Sequence, residues 1–112
     1  MRSIDLMADF EFRDPDPYAQ PLHVSPSGRI LRFMLKPGQS VREHNAPHSP
    51  VYIVGLTGQG KVAGGDGQEQ SMGPGSLFIL EPGEGHSVRA LDSELVFIAI
   101  LHGIPPELRD TH

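Results

Sequence analysis

Cysteine is absent from the 112-residue chain. That excludes a disulfide framework and thiol chemistry, and it is compatible with a cytoplasmic protein. Clustered positive charge is also lacking. The nine Lys and Arg residues are scattered, and the formal net charge is −5. A surface that tracks a phosphate backbone or an anionic membrane needs concentrated positive charge, so nucleic acid and membrane are excluded as partners. No long hydrophobic run exists. The longest, Leu95 to Leu101, is far too short to span a bilayer, and the acidic N-terminal segment lacks the apolar stretch of a secretory signal. There is no G-x-S-x-G elbow, no P-loop and no dinucleotide fingerprint, and no Ser/His/Asp combination sits in a recognisable context. No segment reads as a helix of convincing length.

What is present is turn punctuation. Thirteen Gly and eleven Pro are spread along the chain with no collagen-like period, and 38% apolar residues suffice for one core. The length predicts one domain spanning 1–112. The chain is organised around Gly75–His86, GSLFILEPGEGH. Four apolar residues follow the opening glycine and serine, Pro82-Gly83 signals a tight turn, and His86 is delivered just beyond it. Further strands are expected over 21–25, 29–36, 51–57, 61–63, 68–72, 86–90 and 94–101, separated by Gly/Pro turns about every ten residues, with 40–44 a short polar strand or loop. In 29–36, Leu31, Phe33 and Leu35 share one face. Gly64-Gly65-Asp66-Gly67 is a strong hairpin signal. Residues 1–20 carry Ile4, Leu6, Met7, Phe10 and Phe12 and read either as a free tail or as an arm that covers a sheet edge or a partner subunit. Residues 103–112 read as a tail. The sum is an all-β closed barrel or double-sheet jelly roll.

Two segments resemble the motifs of the cupin family. In the first, Gly38 is followed by five residues and His44, and Gly58 closes the segment at the end of VYIVGLTGQG. In the second, Gly75 and five residues lead to Glu81, then Pro82, Gly83, two residues and His86. The resemblance covers about residues 28–102 and implies a double-stranded β-helix, or jelly-roll, barrel. It also implies a metal held by three His and one Glu, and here the chain departs from the pattern. Ala46 stands at the second His position and Val51 at the Glu position. Glu81 replaces the second motif's Pro, and Ala90 its closing Asn. His44 and His86 remain. His48, four residues past His44 in a Pro-rich loop, is the candidate third ligand. Three neutral imidazoles with an open position suit Zn, Ni, Fe or Cu alike.

Each residue also has a plainer reading. His44 and His86 could be hydrogen-bonded structural histidines, and His48 a surface loop residue. His102, at the end of the last strand, faces either pocket or solvent, while His23 and His112 read as surface residues. Glu81 and Glu84 flank the turn before His86, and most turn carboxylates are simply solvated. Glu43 is discounted because strand alternation turns it away from its neighbour His44. Met34 and Tyr52, with Glu81, are taken as pocket residues. Two functions stay open: a metal-dependent enzyme of dioxygenase-like or isomerase-like type, and a metal-free barrel that binds a small-molecule ligand without catalysis. A homodimer formed through the arm and the apolar last strand is compatible with either.

Overall fold

A computed structural model describes residues 1–43 and 49–103. Among the described residues there are nine strands: β1 (Tyr18–Ser25), β2 (Gly28–Leu35), β3 (Ser40–Glu43), β4 (Val51–Thr57), β5 (Gly60–Ala63), β6 (Glu69–Met72), β7 (Leu77–Leu80), β8 (His86–Ala90) and β9 (Leu95–His102). No helix occurs among the described residues. The strands form a five-stranded sheet, β1-β2-β9-β4-β7, and a four-stranded sheet, β3-β8-β5-β6.

The topology is one long antiparallel hairpin rolled into two layers. β5 pairs β6, β4 pairs β7, β3 pairs β8 and β2 pairs β9, every pair nested around the turn at 64–67. The chain passes from one sheet to the other at most of its Gly/Pro turns, and this rolling makes the expected jelly roll. Gly58 shows how tightly those turns are packed. Its φ is +82°, and a Cβ there would lie 1.9 Å from the Glu94 carbonyl oxygen. Only glycine meets both conditions.

The core lies between the sheets. Phe33, Leu35, Val51, Ile53, Leu80, Leu95, Phe97 and Ala99 come from the five-stranded sheet, and Val62, Met72, Val88 and Ala90 from the other strands. Phe33 and Phe97 stack with ring centroids 4.9 Å apart. In β2 the core residues alternate, as the period-2 pattern of Leu31, Phe33 and Leu35 requires.

Strand β9 has no such alternation, because both of its faces are covered. Leu95, Phe97 and Ala99 face the core. Val96 and Ile98 are buried on the outer face, and so is Met34 on β2. Their cover is the N-terminal arm, and Arg32 holds it. This guanidinium is only 2% exposed. It donates to the carbonyl oxygens of Leu6, Ala8 and Asp9 and twice to Oε1 of Gln20, at 2.8–3.3 Å. The Glu11 N–H lies 3.1 Å from Sδ of Met34. Further along, Gln39 Nε2 donates to the carbonyls of Arg13 and Pro15, and the Arg13 guanidinium sits 3.6 Å over the Tyr18 ring. The segment from Leu6 to Glu11 thus lies on the outer face of the larger sheet.

Candidate functional site

One end of the sandwich gathers the candidate residues. β2 begins and β9 ends there, as the Gly28–His102 pair shows. β3 ends and β4 begins there, opposite His86 and Leu80 respectively. The segment 81–85 joins the end of β7 to the start of β8, crossing between the sheets.

The crossing is built by sequence chemistry. Glu81-Pro82-Gly83-Glu84 is a four-residue turn closed by the Glu84 N–H donating to the Glu81 carbonyl at 2.9 Å. Pro82 presets the second position, and Gly83, with φ +83°, takes the third, where a side chain would be strained. The turn sets the phase of β8. His86, Val88 and Ala90 are buried, while Ser87 and Arg89 turn outward, Arg89 to Glu69 at 3.1 Å. Val88 and Ala90 belong to the core, so the His86 imidazole occupies the same inner face, 8% exposed. Glu43 is its cross-strand register partner.

Glu84 ties this end together. Its Oε1 accepts the Glu81 N–H at 3.0 Å, and its Oε2 accepts the Gly65 N–H at 2.9 Å across the β5–β6 turn. The hairpin tip can come this close because residue 64 is glycine: a Cβ there would lie 2.8 Å from Oε2. The amide of Gly65, then that of Glu81, hold the Glu84 carboxyl below the usual carboxylate range, and the nearby His86 adds to the effect. An anionic carboxylate therefore stands beside a buried imidazole at neutral pH.

The other candidates separate. Met34 and Tyr52, expected as pocket walls, stand on the outer face, because their neighbours Phe33, Leu35, Val51 and Ile53 occupy the inner one. Met34 is sealed beneath the arm. The Tyr52 ring stacks on His102 at 5.6 Å, with its hydroxyl 3.1 Å from Nε2. His102 is exposed and belongs to this outer pair. His23 is exposed, 3.1 Å from the Arg2 guanidinium. Glu81 is exposed at the turn. Val51 is buried in the core where the family pattern has its Glu. His44, Ala46, His48 and His112 lie outside the described residues.

A catalytic or structural metal site of this ligand class takes at least three protein ligands. Among the described residues, no three His, Cys, Asp or Glu side chains gather to supply them. Glu84 is committed to two backbone amides, so the described part contributes the single imidazole of His86. By itself that set does not fit a metal. The role of Glu84 was the part least visible in the sequence. Its signal is a carboxylate at the last position of a Pro-Gly turn, facing a Gly-Gly hairpin tip.

Comparison with known proteins places this geometry. The model of the Cupin_2 family, described as the cupin domain, matches residues 31–101. No curated relative matches the chain in sequence. Among solved structures, a Thermus thermophilus protein superposes with a TM-score of 0.85 at 23% identity, over 94% of this chain and 100% of that one. An RmlC-like cupin protein from Desulfovibrio desulfuricans gives 0.79 at 25% identity, over 89% and 95%. A double-stranded β-helix domain protein of Klebsiella pneumoniae gives 0.84 at 16% identity, over 92% and 90%. The jelly-roll reading is thus borne out by fold and by family. Among the described residues, no helix is long and apolar enough to cross a membrane.

Proposed function

This chain belongs to the cupin domain family, and we propose on that premise that it binds a small organic molecule at the barrel end where His86 stands. One observation carries the reading: a buried imidazole on the inner face, set into an apolar core and flanked by an anionic carboxylate. Small-molecule sites combine an apolar lining with a few fixed polar groups, and neutral imidazole offers one donor and one acceptor. The turn at 81–84 and the Glu84 hydrogen bonds fix the path of the backbone into His86, so the anchor is preorganised. Lack of cysteine fits a reducing compartment, and we place the protein in the cytoplasm on that ground.

A divalent ion, Fe, Ni, Zn or Cu, is the finer form of the same proposal. His44 and His48 would join His86 as the imidazole ligands and leave a position open for the bound molecule. Such an ion would supply Lewis acidity toward an oxygen of that molecule. The metal-free form is favoured by Val51, an apolar core residue at the family's Glu position.

Metal analysis by mass spectrometry on untagged protein, purified without chelator, separates the two. Near-stoichiometric metal in the native chain, lost in His86→Ala, supports the ion. No metal, even after incubation with Fe, Ni, Cu and Zn, leaves the metal-free form. Amide NMR titration with panels of small organic acids, sugars and phenols tests the shared claim. Shifts centred on Gly65 and 81–88 support it, whereas binding that perturbs only other regions overturns it.

A further inference from the structure

The arm covers part of the larger sheet's outer face and leaves an open groove of about 720 Å³ beside it. Ile30 of β2 and Ile98 and Ile100 of β9 floor the groove, and Ile4 and Leu6 of the arm wall it. One row of register partners crosses the floor: His23 on the edge strand β1, Ile30 on β2 and Ile100 on β9. Register partners point to the same face, so the row runs from a polar end at the sheet's edge to an apolar end two strands in. At about 4.8 Å per strand it spans ~10 Å. The side chains at the polar end offer only donors. Arg2 Nη2 donates to the Leu22 carbonyl at 2.9 Å and lies 3.1 Å from Nδ1 of His23. A guanidinium cannot accept, so Nδ1 is the acceptor and the neutral ring carries its proton on Nε2. That Nε2–H and the N–H groups on Nε and Nη1 of Arg2 have no partner among the described residues. Arg2 also has no carboxylate partner among them, in a chain of net charge −5. No Asp, Glu, Phe, Tyr or Trp lines the groove among the described residues.

We propose that this groove binds the anion of a straight-chain aliphatic carboxylic acid of about eight carbons, its carboxylate at Arg2 and His23 and its chain along the row toward Ile100. Three features select that ligand. Charge complementarity selects the anion: a carboxylate brings acceptors alone to an end that offers donors alone, whereas an ammonium would set donors against donors. The lining selects the body. It is aliphatic, with no ring to stack on and no carboxylate to accept from a hydroxyl, which suits a flexible hydrocarbon chain better than a sugar or a flat ring. The span selects the length, because an extended chain of about eight carbons reaches the ~10 Å from the edge strand to β9. The site is independent of what the barrel binds, since the larger sheet stands between the groove and the inner face that His86 occupies.

NMR titration of the untagged full chain with octanoate, followed through the amides of His23, Ile30 and Ile100, tests the assignment. Saturable shifts there, with a dissociation constant on the order of 0.1–1 mM, are expected. Hexanoate should bind roughly four- to fifteenfold more weakly, since each methylene lost from an open to a fully buried position is worth about two- to fourfold. Octylammonium has the same chain and the opposite charge, and should bind at least about tenfold more weakly. Arg2→Gln should weaken octanoate about tenfold and leave octan-1-ol unchanged, which separates the charge from the shape of the groove. Arg2 is exposed, so the variant's circular dichroism and melting temperature should match the parent's. Unmoved amides at about 10 mM octanoate overturn the proposal. Equal binding of octylammonium also overturns it, and so does an Arg2→Gln chain that holds octanoate as the parent does. Octanoate that moves only Gly65 and 81–88 sits in the barrel instead, which likewise overturns the groove as its site.

Discussion

Replacing Arg32 with Met tests how the arm is held. Five hydrogen bonds, at 2.8–3.3 Å, join this buried guanidinium to Gln20 and to three arm carbonyls. Methionine keeps much of the side chain's length and apolar stem but donates nothing. If the arm stayed in place, the carbonyls of Leu6, Ala8 and Asp9 would be left without this donor, at about 1–2 kcal/mol each, or ~3–6 kcal/mol together. If the arm left, those carbonyls would reach water, but Met34, Val96 and Ile98 would be uncovered. Their full burial is worth about 1.5–3 kcal/mol apiece, and the freed arm regains conformational entropy that offsets part of the loss. The two routes have similar cost, so the variant should lose about 3–4 kcal/mol of unfolding free energy. Urea unfolding measures that loss. Trypsin shows the route, since cleavage after Arg13 should accelerate once the arm is released. A loss below ~1 kcal/mol with Arg13 still protected would refute the reasoning, because the arm would then be held by packing alone.

Glu84→Gln should lower the melting temperature near pH 7, and the gap from the parent should close as pH falls. The folded carboxyl titrates below its unfolded value, so its stabilisation is fully present above the unfolded value near pH 4.5 and disappears below the folded one. A melting series from pH 7 to about pH 3 reads this, and a constant gap would rule it out. Gly58→Ala places a Cβ against the Glu94 carbonyl at positive φ and should cost more than about 3 kcal/mol in urea unfolding. Phe97→Ala removes a fully buried ring stacked on Phe33 and should cost about 3–5 kcal/mol by the same assay.

Strand positions were legible because Gly and Pro mark nearly every turn. β2, β4, β8 and β9 fall within a residue of expectation at each end, while β1 begins earlier, at Tyr18. Facing was less legible. Counting from Leu31, Phe33 and Leu35 already puts Met34 on the other side, but an apolar residue suggests the interior, and only the arm explains why the outer face is apolar too. Strand β9 carries no alternation from which to assign its sides. Arg32 lies on the face of β2 opposite Leu31, Phe33 and Leu35 and is buried there. Its burial depends on carbonyls some twenty-five positions earlier in the chain, and no local pattern encodes that.

The nested hairpin also has a kinetic consequence. Loop-closure entropy rises with the length of chain enclosed, so among the nested pairs the cheapest contact is at the tip, where Ala63 meets Glu69 around the 64–67 turn. Each later pair closes at little further cost once the inner one exists, in the order β4–β7, β3–β8 and β2–β9. Assembly should therefore run like a zip from the tip toward the chain ends, with the arm laid down last. Glu84 spans the tip and the next crossing, so its hydrogen bond to Gly65 belongs to the early stage. Substitutions there should slow refolding, and those under the arm should mainly speed unfolding.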